Sequence, residues 1–139
     1  MTNPPSDAAI SHISEWLLSV ELATSSASSD EESAASRVSG KLRTIVSALV
    51  GAAGYKSILM RALNLTMRDT DAFQDASVTS DGFLKDSNNR DLQAGELLIF
   101  HLVGLLVVLT GIDFTLQLLR EAWPDLPEFN FSELRRKWA

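Results

Sequence analysis

The longest apolar pattern in the chain runs from Gly95 to Trp123. In its second half, from Thr110 onward, polar side chains recur on one face at the 3.6-residue helical period, whereas residues 97–109 are apolar almost all round. Such a helix is buried by its own domain, by a second copy or by lipid. The pattern predicts one long central helix that Pro124 ends.

The polar face of this helix, continued backward, meets Ile99, Val103 and Leu106. Three shorter helices with one apolar stripe each would leave these side chains either exposed in the isolated chain or buried between chains. The sequence therefore predicts an interaction surface at these three residues.

The opposite face carries His101, Gly104 and Gly111. A glycine inside a helix costs roughly 1 kcal/mol relative to alanine, so the pattern predicts that another helix backbone crosses closely there. For His101 a core histidine that holds one hydrogen bond is favoured over a metal ligand or a proton carrier.

Other periodic segments predict three further helices. The first spans about 7–24 and directs Glu21 outward, the second spans about 30–53, and the third follows a break or kink at Gly51 to Gly54 and ends near Arg68. Apolar residues at helical spacing in 131–138 predict a short C-terminal helix. The expected fold is all-α: four main helices in an up-and-down bundle around the central apolar helix, in a single domain covering 1–139.

Two polar connectors separate these helices. Residues 25–33 form a serine-rich acidic connector, and residues 69–90 form a long polar loop. Ser80, Asp81 and Gly82 are typical of a tight turn, which predicts a small hairpin in this loop. The apolar residues expected to hold the loop against the core are Phe73, Val78, Phe83 and Leu84.

Composition and motifs favour no chemical activity. A net charge of −6 disfavours nucleic-acid binding. The absence of cysteine is compatible with the cytoplasm, which is the expected location. The chain has no nucleophile elbow, phosphate-binding loop or EF-hand loop, and its two histidines lack metal-ligand spacing. We expect no catalytic residue, cofactor or metal.

A membrane helix is the main alternative for the central segment. Residues 97–112 would give about 24 Å of helix, against the ~30 Å of a hydrocarbon core. Extending the span to Leu119 would bring Asp113 into the membrane, which costs up to ~3 kcal/mol. A buried core or interface helix is therefore the favoured interpretation.

Two segments together, GYKSILMRALNL at 54–65 and LLIFHLVGLLVVLTGIDFTLQLLREAWPD at 97–125, carry a resemblance. They resemble a group of small uncharacterised bacterial proteins in which a Y/F-x-S-L-L-x-R-A-L helix precedes a variable loop and a long apolar helix ending in R-x-x-W-P. Asp113 stands where that group is expected to have glutamate. The resemblance implies a bacterial source and a recurrent module, and it brings no known activity or site residues to this chain.

These patterns favour a non-enzymatic interaction or adaptor module that binds a protein partner or a second copy of itself through an apolar helix face. One alternative is a membrane-active protein that exposes residues 95–123 to lipid. Another is a carrier of apolar small ligands, with a cavity beside Gly104 and Gly111.

Overall fold

The computed structural model describes residues 6–24, 34–85 and 92–126, and these residues form four helices and one small hairpin. The elements, in chain order, are α1 (Ser6–Thr24), α2 (Ala34–Met67), β1 (Ser77–Val78), β2 (Leu84–Lys85), α3 (Leu92–Thr110) and α4 (Ile112–Ala122). The prediction of a mostly helical, all-α chain is confirmed. The connector at 25–33 and the helix predicted at 131–138 lie outside the described residues.

The core lies around α3, which contacts α1, α2 and α4. Each of these helices contributes one apolar stripe, as the helical spacing of its apolar residues requires. The fully buried aliphatic side chains include Ile13, Leu17, Leu42, Leu59, Leu98, Leu102 and Leu119. The other helices thus bury one side of α3.

A kink at Gly51 divides α2 into two segments. Gly51 has φ 85° and ψ 162°, a backbone region that is essentially limited to glycine. The Tyr55 hydroxyl donates a hydrogen bond of 2.8 Å to the Ser39 carbonyl, although a straight helix would separate these residues by about 24 Å. The predicted break is confirmed. Burial raises the pKa of Tyr55, so its hydroxyl remains a donor.

A second glycine, Gly111, ends α3 and starts α4. Its φ is 89° and its ψ is 158°, nearly the conformation of Gly51. The Gly111 N–H donates to the Val107 carbonyl at 2.8 Å, and the Gly111 carbonyl accepts from the Thr115 N–H at 3.1 Å. The hydroxyls of Thr110 and Thr115 lie 2.9 Å apart across the bend. The prediction of one continuous helix from Gly95 to Trp123 is therefore wrong.

The hairpin lies where its turn signal predicts it. The strands are antiparallel, with Val78 opposite Leu84, and Gly82 has φ 88° in the turn. The Thr79 N–H donates to the Phe83 carbonyl at 2.8 Å, which closes the turn. The predicted hairpin is confirmed.

Side chains from α2 hold the hairpin in place. The Arg43 Nε–H donates to the Asp81 carbonyl at 2.7 Å, and its guanidinium lies 4.3 Å from the centre of the Phe83 ring. Phe73 and Leu84 are buried, as predicted, whereas Phe83 is 42% exposed. Phe83 covers an arginine rather than the core.

Candidate interaction surface on α3

Ile99, Val103 and Leu106 lie in the core of the single chain, with exposed fractions of 0%, 0% and 1%. The prediction that these three residues form an interaction surface is wrong. This prediction extended the polar face of residues 110–123 backward along one straight helix, but the chain bends at Gly111. The polar face of α4 therefore says nothing about the corresponding face of α3.

The opposite side of α3 is the one that the described residues leave uncovered. We define the α3 outer face as Leu97, Phe100, Gly104 and Val108, whose spacing of three and four residues aligns them along one side of the helix. The first three are half-buried and Val108 is 81% exposed. Among the described residues, the outward apolar positions of α3 thus lie on the side that the sequence pattern predicts to pack internally.

Gly104 makes no close crossing with another helix. Among the described residues, no heavy atom lies within 4 Å of a Cβ placed on Gly104, and the same holds for Gly111. The predicted close packing at these glycines is therefore wrong. Gly95 is the buried glycine of α3, and a Cβ placed there would make ordinary van der Waals contact with the Ala35 Cβ at 3.5 Å and a Leu18 methyl at 3.8 Å.

His101 lies at the edge of the outer face and is 19% exposed. Its Nε2 is 3.7 Å from the nearer carboxylate oxygen of Asp69, which is longer than a hydrogen bond. Nε2 has no hydrogen-bond partner within 6–24, 34–85 and 92–126. The expected single hydrogen bond is thus absent at this nitrogen, and the Phe100 ring packs edge-on at 5.5 Å. Those same ranges contain no group of three or more potential metal ligands.

An open groove lies between α1 and the N-terminal half of α3. Its volume is about 360 Å³, and it is lined by Ser11, Gln93, Glu96, Leu97 and Phe100. Two of these residues belong to the outer face, so the groove and the outer face are continuous. None of the lining residues is Gly104 or Gly111, beside which a ligand cavity was expected.

Glu96 carries the one resolved carboxyl perturbation in the described part of the chain. Partial burial raises the pKa of Glu96, and the nearby carboxylate of Glu15 on α1 raises it further. No ion pair joins Glu96 to a lysine or arginine in the described ranges. The groove therefore presents negative charge that no cation of the described residues neutralises through an ion pair.

Each glycine bend is surrounded by exposed apolar side chains. At the Gly111 bend Val108, Leu109 and Phe114 are 81%, 63% and 39% exposed. At the Gly51 bend Leu49 and Val50 are 52% and 51% exposed. Only the first of these groups continues into a helix face that is apolar over several turns.

An ionic cluster around the buried carboxylate of Glu21 joins three helices, and the sequence pattern did not predict it. Glu21, expected to point outward, is 1% exposed. Its Oε2 accepts hydrogen bonds from Lys41 Nζ at 2.6 Å and from Trp123 Nε1 at 3.0 Å, and its Oε1 lies 3.6 Å from Arg37 Nε. The cluster ties α1 to α2 and to the end of α4. The available signal was the pair Arg37 and Lys41, one helical turn apart, which places two cations on one face.

Comparison with protein-family models, with curated proteins and with solved structures finds no match to the chain. Two helices among the described residues, Ala34–Met67 and Gln93–Thr110, are long and apolar enough to cross a membrane, which by itself is weak evidence. The Gly51 kink divides the first into segments of about 25 Å each, shorter than a hydrocarbon core of ~30 Å. The second remains the better candidate.

Proposed function

We propose that the protein is a non-enzymatic interaction module that binds an apolar helix of a protein partner or of a second copy against the α3 outer face. The scaffold we propose is an up-and-down bundle in which α3 packs its inner side against the other helices. The observation that carries the proposal is the stripe from Leu97 to Val108, apolar over three turns and uncovered at its C-terminal end. Stripes of this kind recur where amphipathic helices dock.

Gly104 suits the centre of such a contact. It lies between Phe100 and Val108, and no atom of the described residues occupies the space where its side chain would stand. A partner helix would approach the α3 backbone at this point, while Phe100 and Val108 flank it one turn away on either side. Small residues at a crossing permit short interaxial distances, which increase the contact area per turn.

A charged substitution at the most exposed position tests the proposal. Val108→Glu should leave the helical content unchanged, because a carboxylate at an exposed site stays solvated. It should abolish self-association in sedimentation velocity, or the binding of labelled amphipathic helical peptides measured by fluorescence anisotropy. Circular dichroism on the same samples establishes that the fold survives.

Val50→Glu provides the matched control. Val50 is also an exposed valine beside a glycine bend, but it lies outside the α3 outer face. Association that responds equally to both substitutions, or a wild-type chain that neither self-associates nor binds any helical peptide, would contradict the proposal.

A second candidate function is membrane activity. It is favoured by the length of α3, 19 residues or about 28 Å, which nearly matches the hydrocarbon thickness, and by the exposure of Val108 and Leu109 at its end. Flotation with phosphatidylcholine liposomes separates the two functions. Recovery of the wild-type chain with the liposomes, and loss of that recovery in Val108→Glu, would favour lipid over a protein partner.

A further inference from the structure

We propose that the helix bound at the α3 outer face carries a lysine or arginine whose side chain enters the groove beside Glu96. This inference rests on the proposed function and adds the chemistry of the partner. It assigns the outer face to a basic amphipathic helix rather than to a second copy of this chain.

The groove and the α3 outer face are continuous. Leu97 and Phe100 belong both to the outer face and to the lining of the groove, so a helix that lies along the outer face passes over the groove. Glu96 and Val108 are twelve residues apart, which corresponds to about 18 Å along α3. The partner's basic residue and the apolar residue that meets Val108 would therefore be separated by about the same distance.

Two neighbouring carboxylates give the groove a negative charge. Glu96 is partly withdrawn from water next to the like-charged Glu15, and this pairing raises the free energy of the ionised state. A cation in the groove lowers that free energy for both carboxylates at once. Neither lysine nor arginine is among the lining residues that lie within 6–24, 34–85 and 92–126, so this part of the chain does not supply a cation from the groove wall.

The apolar and polar surfaces of the groove match the two parts of a lysine or arginine side chain. A lysine or arginine side chain has an aliphatic stem and a charged end. Leu97 and the Phe100 ring offer apolar contact for the stem, and the ring face also attracts a cation. Ser11, Gln93 and Glu96 supply oxygen acceptors for the N–H groups at the end.

The net charge of the chain disfavours a second copy as the partner. Each chain has a net charge of −6, so two copies repel one another. A basic partner is instead attracted, and complementary charge also accelerates the encounter. The net charge and the local charge of the groove thus favour the same class of partner.

Two model peptides test this inference. One is a labelled amphipathic helix of leucine and lysine, ~18 residues long so that it forms a stable helix, and the other has every lysine replaced by glutamate. In fluorescence anisotropy the lysine peptide should bind at least about tenfold tighter than the glutamate peptide. The double variant Glu15→Gln with Glu96→Gln should lose about fivefold to tenfold of the affinity for the lysine peptide.

A variant that removes two charges elsewhere is the control for net charge. Glu121 and Asp125 are exposed and lie outside the groove, so Glu121→Gln with Asp125→Asn changes the net charge equally. Equal effects of the two double variants, or equal binding of the two peptides, would overturn the groove assignment. If Val108→Glu still abolishes binding of both peptides in that case, the proposed function stands. Binding of neither peptide to the wild-type chain would overturn both.

Discussion

The two faces of α3 differ less in their composition than in what they contact. Ile99, Val103 and Leu106 on the inner face are covered by neighbouring helices, whereas Phe100 and Val108 on the outer face are half-buried and exposed. The inner face is aliphatic and the outer face combines aliphatic residues with Phe100, so hydrophobicity alone does not distinguish them. The difference arises from where the neighbouring helices pack, because α1 and α2 make most of the contacts with α3 and cover its inner face.

The largest expected effect comes from charging the inner face. Val103→Glu with Leu106→Glu should unfold the protein, because each buried carboxylate costs several kcal/mol and a domain of this kind has only about 5–15 kcal/mol of stability. Loss of the helical circular dichroism signal at 25 °C checks this expectation. Val108→Glu on the outer face should retain that signal. A folded double variant would mean that the inner and outer faces are exchanged in solution.

The two glycines of the region should respond differently to alanine. Gly111→Ala should destabilise the fold by about 1–3 kcal/mol, since a side chain is strained at its positive φ. Gly104→Ala should stabilise the fold by up to about 1 kcal/mol, because Gly104 is helical and the space for a methyl group is open. Urea unfolding of both variants measures the two changes. Destabilisation by Gly104→Ala would restore a close internal crossing at this residue.

The smallest expected effect concerns Glu96 at the edge of the outer face. Its pKa is raised in the folded chain, so the native state holds the proton more readily than the unfolded state does. Ionised Glu96 therefore lowers the free energy of unfolding at pH values above its pKa in the folded chain. This effect vanishes below its pKa in the unfolded chain. Glu96→Gln should stabilise the fold at about pH 7, by less than about 0.5 kcal/mol, and give no gain at about pH 3. Urea unfolding at both values tests this. Lower stability of the variant at neutral pH would contradict the stated cause.

The sequence predicts those parts of the fold whose signals are local. The turn at Ser80 to Gly82 and the break at Gly51 are read from residues within one turn of the event. The bend at Gly111 was not predicted because a single glycine in an apolar run is also compatible with a continuous helix. The apolar residues before and after Gly111 keep the helical spacing. The acidic residue Asp113 in the first turn of α4 is the local signal for a new helix start.

The packing partners of a face are less accessible to sequence reasoning. Glu21 has the helical position of an outward residue by spacing alone, yet it is buried because Lys41 and Trp123 reach it from α2 and from the end of α4. The outer face of α3 was misassigned for the same reason, since its exposure depends on which side of α3 the helices α1 and α2 pack against. Contacts between segments far apart in the chain decide both outcomes.

The hydrogen bond between Glu21 and Trp123 joins residues that are 102 positions apart, and this separation has a consequence for synthesis on the ribosome. Translation at about 5–20 residues per second leaves roughly 5–20 s between the two residues. Until Trp123 is synthesised, the Glu21 carboxylate lacks the hydrogen bond from the Trp123 indole, and α3 is not yet in contact with α4. We therefore expect the nascent chain to be most prone to aggregation, and most dependent on chaperones, in the seconds before its last described helix emerges.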